Sequence, residues 1–336
     1  MMNHRSTMMA AVVEDPNTAF QYKQIVRPVL LPGHVLVRVR SSGVNPLDLK
    51  IKAGTAAHAR HPLPAVLGID MAGVVEEVGE GVTRFVVGDE VYGMSGGVGG
   101  VQGSLAEYAV VDAKLLARKP TSLSMREAAS MPLVYITAWE GLVDRARVRA
   151  GQTVLVQGGA GGVGNAAIQL ARAFGAKVCA TGSPSRGNVI RDYGATHIDH
   201  TSTSVEEYVA SQTHDAGFDI VYDTAGGSSL DASFHAVTRF GHVVSSLGWG
   251  THSLAPLSFR AASYSGVFTL LPLLTGEGRE HHGEILRQIT QLVDQGKIQP
   301  RIDGRRFDLK SVEDAHTWQQ SGRADGKVIV DVSSDS

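Results

Sequence analysis

The chain has 336 residues and a formal net charge of −2, with 43% apolar and 19% charged residues. At roughly 100–200 residues per domain, this length predicts about two globular domains with substantial cores. The nearly balanced charge excludes strong electrostatic attraction to nucleic acid or to an anionic membrane surface.

The cysteine content and the start of the chain bear on the cellular compartment. Cys179 is the single cysteine, so neither an internal disulfide nor a multi-cysteine metal site can form. The first residues, MMNHRSTMMAAVVEDP, lack the apolar core of a signal peptide. No stretch approaches the ~18 apolar residues of a membrane span. We therefore expect a cytoplasmic protein without a membrane partner.

Up to about residue 115, short runs rich in β-branched residues alternate with glycine and proline. These runs are HVLVRVR at 34–40, AGVVEEVG at 72–79, DEVYG at 89–93 and AEYAVVDA at 106–113. Short strands with frequent turn residues are typical of an antiparallel barrel or sandwich, which we predict for this part of the chain.

From Gly151 onward, strand and helix patterns alternate. Predicted strands cover 153–158, 177–182, 196–199, 218–224 and 242–248, and helical patterns cover 163–174, 186–193, 204–212 and 228–238. Two capping boxes support helix starts, Ser124 with Glu127 and Ser204 with Glu207. This alternation predicts an α/β fold with a parallel, doubly wound sheet.

Residues 159–164, Gly-Ala-Gly-Gly-Val-Gly, fit the pattern G-x-G-x-x-G. The motif follows a predicted strand and opens a predicted helix, which is the context that dinucleotide binding requires. Gly159, Gly161 and Gly164 would allow a tight turn, close approach to a pyrophosphate and close packing of helix on strand. We predict a dinucleotide site here.

A second glycine-rich run, Gly97-Val-Gly99-Gly-Val-Gln102, lacks the final glycine of the motif and precedes no helical pattern. We expect it to form a loop between strands.

The end of the second strand of the α/β part indicates which dinucleotide is bound. NAD sites place an acidic residue there to accept hydrogen bonds from the ribose 2′-hydroxyl, whereas this chain has Gly182. Ser183 and Arg186 follow, and a guanidinium suits a 2′-phosphate. These residues favour NADPH as the cofactor.

The sequence resembles the medium-chain dehydrogenase/reductase superfamily, in its zinc-free quinone oxidoreductase (ζ-crystallin-like) branch. The resemblance extends over nearly the whole chain and rests on five motifs: SSGVNPLDLK (41–50), LGIDMAGVVEEVGEGVTRFVVGDEVYG (67–93), LVYITAWEGL (133–142), QGGAGGVG (157–164) and GKVIV (326–330). It implies a GroES-like, mostly β catalytic domain at 1–124, a Rossmann NADP-binding domain at 125–264, and a segment at 265–336 that returns to the catalytic domain.

The resemblance also bears on metal. Zinc-dependent relatives have cysteine where this chain has Asn45, histidine where it has Ile69, and a third ligand near Leu133. A catalytic zinc needs about three nitrogen, sulfur or oxygen ligands from the protein, so no metal site is expected.

The resemblance implies several site residues. Asn45 and Asp48 would approach the nicotinamide ribose, and Thr137 would lie beneath the nicotinamide. The pyrophosphate would contact Gly158, Gly161, Gly162 and Val163. His200 would touch the 2′-phosphate, and Arg323 and Lys327 would meet the cofactor near the end of the chain. Tyr92 and Tyr135 are candidate proton donors or pocket walls.

Without a metal to polarise a carbonyl, the expected acceptors are ones that take hydride readily. We therefore predict hydride transfer from NADPH to a quinone or an α,β-unsaturated carbonyl. An enoyl-thioester reductase and a non-catalytic NADPH-binding protein remain as alternatives.

The apolar run YSGVFTLLPLL (264–274) is interpreted as an edge strand that pairs two subunits, which predicts a homodimer.

Overall fold

A computed structural model describes residues 6–333. The described residues form sixteen strands in chain order. These are β1 (Thr7–Val13), β2 (Gln21–Val26), β3 (His34–Gly43), β4 (Ala65–Val66), β5 (Asp70–Val78), β6 (Glu90–Met94), β7 (Tyr108–Asp112), β8 (Leu116–Arg118), β9 (Thr153–Gln157), β10 (Lys177–Gly182), β11 (Thr196–Asp199), β12 (Phe218–Asp223), β13 (Val237–Ser245), β14 (Ser263–Gly266), β15 (Phe307–Asp308) and β16 (Ile329–Asp331).

The same part of the chain contains eleven α-helices. These are α1 (Pro46–Lys52), α2 (Met125–Ala129), α3 (Pro132–Trp139), α4 (Gly162–Ala173), α5 (Gly187–Asp192), α6 (Val205–Thr213), α7 (Ser228–Ala236), α8 (Ala255–Ser258), α9 (Leu271–Thr275), α10 (Arg279–Asp294) and α11 (Val312–Gln320). A π-helix (Glu140–Arg145) follows α3 directly, and short 3₁₀ turns cover Ala57–Ala59, Ala113–Leu115 and Pro184–Arg186.

The first compact unit contains the residues up to Leu133 together with those from Leu270 onward. It holds a three-stranded sheet of order β2-β1-β4 and a seven-stranded sheet of order β15-β16-β3-β5-β6-β8, in which β7 also pairs with β3. Most pairings are antiparallel, and β15 with β16 is the parallel exception. This is the mostly β, GroES-like architecture that the sequence predicts.

The second compact unit, Val134–Thr269, is an α/β unit. Its six strands are all parallel, in the order β11-β10-β9-β12-β13-β14. Renumbered from its first strand, this order is 3-2-1-4-5-6, the order of a Rossmann dinucleotide-binding sheet. The predicted doubly wound sheet is confirmed.

Local signals explain the helix starts. Ser124 and Ser204 each accept a hydrogen bond from the backbone N–H of the glutamate three residues on, and each glutamate carboxylate accepts one from the serine backbone N–H in return. Both predicted capping boxes are therefore confirmed.

Buried apolar side chains hold the sheet of the second unit against its helices. Leu155 and Val221 project from neighbouring central strands and are fully buried, and Phe234 on α7 packs into the same cluster. Strands β9 and β12, which lie at the centre of the sheet, are thus fixed, and the turn after β9 starts from a rigid support.

Two predicted elements differ from the structure. The apolar run at 264–274 is a strand only as far as Gly266, and its last residues belong to helix α9. A short apolar run satisfies either a buried strand or a helix, so its pattern does not separate the two. Strand β13 also starts at Val237, five residues before the predicted start at 242. None of the helices formed by residues 6–333 is long and apolar enough to cross a membrane.

Candidate active site

The turn between β9 and α4 brings two stretches of backbone into contact. Gly158 has φ +76°, a conformation that side chains disfavour. A Cβ on Gly164 would stand only 2.2 Å from the carbonyl oxygen of Gly158. Hydrogen alone fits at position 164, so the start of the helix packs directly on the end of the strand.

Two buried side chains that the sequence did not single out hold this turn in place. The Thr181 hydroxyl accepts a hydrogen bond from the Gly158 N–H at 3.0 Å and donates to Gln157 Oε1 at 2.8 Å. The Thr181 carbonyl accepts from the Gly159 N–H at 2.9 Å. The turn is therefore bonded to β10, the neighbouring strand, before any ligand is present.

The turn opens a helix at the right place for an anionic ligand. Gly161 is the N-cap of α4, with extended backbone angles, and Gly162 and Val163 form the first turn. The first N–H groups of a helix have no partner within it and carry a partial positive charge. A narrow backbone cradle with N–H groups at a helix start fits the pyrophosphate of a dinucleotide.

The end of β10 carries no carboxylate. A Cβ on Gly182 would meet Ile190 Cδ1 at 2.6 Å, so a larger side chain here would require repacking. Asp199 ends the adjacent strand β11 in register with Gly182, but its carboxylate accepts hydrogen bonds from Thr201 and Ser202. Those bonds hold the pKa of Asp199 below its usual range.

The residues predicted to meet a 2′-phosphate lie in two short segments after these strands. Ser183 caps the 3₁₀ turn that contains the half-buried Arg186, and the Ser183 hydroxyl contacts that of Ser185 at 3.1 Å. His200 is exposed in the turn after β11. The ring of His197 also lies at the end of β10, with Nε2 3.0 Å from the Gly182 carbonyl oxygen.

A second polar cluster is buried in the first unit. The Asn45 amide nitrogen donates to Asp70 Oδ2 at 3.0 Å, and the Lys327 ammonium donates to Asn45 Oδ1. Lys327 Nζ also lies 3.3 Å from Asp70 Oδ2. The backbone N–H of Leu133 donates to Asp70 Oδ1 at 2.8 Å. Asn45 and Asp70 are fully buried, so every group in this cluster has a fixed orientation.

Asp48 lies next to this cluster at the start of α1. Its Oδ2 accepts the Asn45 backbone N–H at 2.8 Å, and its Oδ1 has no hydrogen-bond partner. Burial raises the pKa of Asp48 to about 7, and the charge of Asp70 adds to the rise. Burial also raises the pKa of Asp70, while Lys327 opposes that rise. Asp48 is therefore a carboxyl group that can exchange a proton near neutral pH.

The predicted nicotinamide residue Thr137 belongs to a hydrogen-bonded group within the second unit. The Thr269 hydroxyl contacts the Thr137 hydroxyl at 3.0 Å and donates to Glu140 Oε2 at 2.6 Å. The Tyr222 hydroxyl donates to the Thr137 carbonyl oxygen at 2.6 Å. Glu140 starts the π-helix, a widened turn that often occurs at functional sites.

The two candidate tyrosines have different surroundings. Tyr92 is fully buried, and its hydroxyl donates to the Leu286 carbonyl at 2.8 Å and contacts Thr290 at 3.0 Å. Burial raises the pKa of Tyr92 well above its usual range, which argues against a proton donor and for a packing role. The Tyr135 hydroxyl accepts from Gln169 Nε2 at 3.1 Å and stays among the candidates.

Arg323 stacks on an aromatic ring. Its guanidinium lies 4.7 Å from the centre of the Trp318 ring, and that of Arg305 lies 3.5 Å from it. The tryptophan and its two arginines form a cation–π group, and the cofactor contact of Arg323 stays a prediction.

The residues at the expected metal position do not fit zinc. Asn45 is bonded to a protein ammonium, and Ile69 is a fully buried apolar side chain. Across residues 6–333, no group of three or more His, Cys, Asp or Glu side chains could hold a metal ion. A cation at Asn45 and Asp70 would have to displace Lys327, so no step of the chemistry is assigned to a metal.

The second glycine-rich run lies in the loop between β6 and β7, as predicted. The Gly99 N–H donates to the Ala59 carbonyl at 2.9 Å, and the Gly100 N–H donates to His61 Nδ1 at 3.2 Å. Val98 is fully buried. This loop is bonded to its surroundings and precedes no helix that could present N–H groups to phosphates.

A two-unit protein with a Rossmann sheet, a dinucleotide turn and a GroES-like unit is the architecture of dehydrogenases. The alcohol dehydrogenase GroES-like domain model matches residues 31–121, and a zinc-binding dehydrogenase model matches residues 193–330.

Relatives cover most of the chain. The 2-methylene-furan-3-one reductase of Solanum lycopersicum is 37% identical over 90% of this chain and 73% of the relative. The chloroplastic NADPH-dependent alkenal/one oxidoreductase of Arabidopsis thaliana is 35% identical over 91% of this chain and 74% of the relative. A crystal structure of an alcohol dehydrogenase superfamily protein from Novosphingobium aromaticivorans has a TM-score of 0.95 and 56% identity, over 97% of this chain and all of that one.

The chain belongs to the medium-chain dehydrogenase/reductase superfamily, in its quinone oxidoreductase branch. As a member of that superfamily it is an oxidoreductase that uses a nicotinamide dinucleotide.

Proposed function

We propose that this protein transfers hydride from NADPH to a quinone or an α,β-unsaturated carbonyl compound without zinc. The buried cluster of Asn45, Asp70 and Lys327 carries the proposal, because a protein ammonium stands where zinc-dependent relatives need metal ligands. Acceptors whose double bond is already polarised need no metal to take hydride. The names of the two plant relatives given above, a 2-methylene-furan-3-one reductase and an NADPH-dependent alkenal/one oxidoreductase, agree with a conjugated carbonyl compound as acceptor.

The cofactor is NADPH. Its pyrophosphate would be held by the backbone of residues 158–164 at the start of α4, and the candidate residues are Gly158, Gly159, Gly161, Gly162, Val163 and Gly164. Its 2′-phosphate would meet Ser183, Arg186 and His200. The absence of a carboxylate at position 182 supports this assignment, since an acid there would repel the phosphate.

On the nicotinamide side, the candidates are Asn45, Thr137 and Lys327. Bound NADPH supplies the hydride. Asn45 cannot rotate freely, because its amide nitrogen and oxygen are bonded to Asp70 and Lys327 respectively. Such prior orientation lowers the entropy cost of aligning a ligand.

Reduction of an enone or a quinone also needs a proton. Asp48, with its pKa raised to about 7, and the Tyr135 hydroxyl are the candidate proton sources among the predicted residues. A group whose pKa is near the working pH is best suited to give and recover a proton.

The assembly is proposed to be a homodimer formed through β14. This strand has one neighbour, β13, among the described residues, and Tyr264 on it and Phe268 just after it are partly exposed. Exposed strand edges with apolar side chains are usually covered in native proteins.

We also propose a cytoplasmic location and the functional division at 1–124, 125–264 and 265–336.

The test is turnover with a panel of acceptors. The purified protein is mixed with NADPH or NADH and a small quinone, an aliphatic enone or a saturated ketone, and the absorbance of the reduced nicotinamide is followed. Oxidation of NADPH by the quinone or the enone but not by the saturated ketone supports the proposal. Tight NADPH binding without turnover of any acceptor would refute it, as would loss of activity on adding a strong chelator.

A matched pair of variants tests the cofactor assignment. Arg186→Ala should weaken NADPH binding about tenfold and leave NADH binding nearly unchanged, because one charge-assisted contact is lost. Arg239→Ala, at an exposed arginine on β13, is the control and should change neither. Equal weakening of both cofactors by Arg186→Ala would remove this residue from the phosphate site.

A further inference from the structure

A cleft in the first unit lies between the turn before β6, strand β8 and helix α10. Its volume is about 370 Å³, which is within the usual range for small-molecule sites. Three guanidinium groups line it, from Arg84, Arg118 and Arg287. None of these residues was assigned to the cofactor, and none belongs to the Asn45 cluster.

The three arginines are not equally neutralised by nearby acids. Arg118 is paired with Asp89 at 2.9 Å, and Arg287 is paired with Glu284. Arg84 forms no ion pair within 4.0 Å with any residue of the described chain. Burial lowers the pKa of the Arg84 guanidinium, and so does the charge of Arg287, while Glu280 opposes them. A half-buried guanidinium that forms no ion pair within the described residues thus lies close enough to a second positive charge to be affected by it.

The remaining lining residues are the apolar Phe85 and Ala117 and the polar Thr290 and Gln291. Phe85 and Ala117 are buried and line the cleft beside the arginines. The Thr290 hydroxyl, also in the lining, donates to the Arg118 carbonyl at 3.0 Å and so ties α10 to β8. An anion placed between Arg84 and Arg287 would relieve their repulsion, and an apolar body would lie against Phe85.

We propose that this cleft binds a small organic anion, with a phosphate or carboxylate head between the arginines and an apolar body on Phe85. Guanidinium groups bind both oxyanions through paired N–H donors. The site is independent of the proposed reaction, because it shares no residue with it.

The test uses isothermal titration calorimetry on the full chain at low chloride, with phenyl phosphate, benzoate and inorganic phosphate as probes. Saturable binding of phenyl phosphate or benzoate, tighter than that of inorganic phosphate, is expected. The tighter of the two aromatic probes identifies the head group. Binding should persist with one equivalent of NADP⁺ present, because the glycine turn is a different site.

Variants locate the binding. Arg84→Gln and Arg287→Gln should each weaken the aromatic probe about tenfold, since each removes a charged hydrogen-bond donor. Arg239→Gln is the matched control and should leave binding unchanged. Unchanged melting temperatures would show that the variants fold. Absence of saturable binding, equal weakening by all three substitutions, or displacement by one equivalent of NADP⁺ would overturn the proposal.

Discussion

Lys327 and Asp70 form a buried ion pair across 257 residues of sequence, with Nζ 3.3 Å from Oδ2. Removing one member of such a pair leaves the other charge without compensation in a medium of low dielectric. The pair therefore joins the segment after Leu270 to strand β5. Replacing both members should cost less stability than replacing one.

The substitution Lys327→Met should lower the free energy of unfolding by about 3–5 kcal/mol, because Asp70 stays buried and unpaired. The double variant Lys327→Met/Asp70→Asn should recover a large part of that loss. Urea unfolding followed by circular dichroism measures both, with the exposed Lys297→Met as control. A single variant as stable as the control would show that the pair contributes nothing.

Asp48 should make the protein less stable as the pH rises. Its pKa is about 7 in the folded state against 3.8 in the unfolded chain, so the folded state holds the proton more tightly. The contribution of Asp48 to the free energy of unfolding is fully present below pH 3.8. It falls by about 4 kcal/mol as the pH rises to 7 and beyond. Asp48→Asn removes that dependence, so the variant should be more stable than the wild type at pH 8.

The measurement is the free energy of unfolding in urea at several pH values, taken as the value for Asp48→Asn minus the value for the wild type. The exposed Asp314→Asn serves as the control and should give a flat difference. A flat difference for Asp48→Asn as well would mean that this carboxyl group is ionised in the folded protein.

His316 should make the protein less stable as the pH falls. It is buried on α11, neither ring nitrogen has a hydrogen-bond partner, and its ring meets Phe20 edge-on at 4.8 Å. Burial lowers its pKa to about 4, and the charge of Lys52 adds to the effect. Stability from the neutral ring is full above pH 6.5 and falls by about 3 kcal/mol as the pH drops to 4.

The substitution His316→Leu should therefore gain stability relative to wild type between pH 6.5 and 4, as measured by thermal unfolding. The exposed His235→Leu is the control and should show no such change. As the pH rises from 4 to 7, the contribution of Asp48 to stability falls and that of His316 rises. The free energy of unfolding of the wild-type protein should therefore depend less on pH than that of either variant.

The dinucleotide turn should not accept a methyl group. Gly164→Ala would place a Cβ 2.2 Å from the Gly158 carbonyl oxygen, which must move to make room. We expect a loss of about 1–3 kcal/mol in stability and a loss of NADPH affinity, measured by titrating the fluorescence of the reduced cofactor. Gly304→Ala, at a glycine with open space around it, should change neither. Normal cofactor affinity in Gly164→Ala would argue against a pyrophosphate at this turn.

Local signals were sufficient to predict much of the second unit. The alternation of strand and helix patterns gave the parallel sheet, and Ser204 with Glu207 marked a helix start that the structure has. The glycine motif predicted the turn, and a Cβ on Gly159 or Gly164 would indeed meet Ala180 or the Gly158 carbonyl at close range. Each of these signals is local, because a strand, a helix or a turn is recognised from neighbouring residues.

Local sequence patterns do not predict contacts between residues that are distant in the sequence. Nothing in the pattern around Asp70 indicates that Lys327 will reach it, and nothing near Tyr92 in sequence indicates that its hydroxyl bonds to the Leu286 carbonyl. The π-helix at Glu140–Arg145 was also missed, because its sequence satisfies an ordinary helical pattern. Burial and partner choice are set by the whole fold and not by spacing along the chain.

The contact of Trp318 with the guanidinium groups of Arg305 and Arg323 has a practical consequence. The chain has three tryptophans, of which Trp318 lies in the first unit and Trp139 and Trp249 lie in the second. Trp318 is covered by guanidinium groups, whereas Trp249 is 57% exposed. Variants that keep one tryptophan at a time would therefore emit with different spectra and respond differently to quenchers, so intrinsic fluorescence can follow each unit separately without an added label.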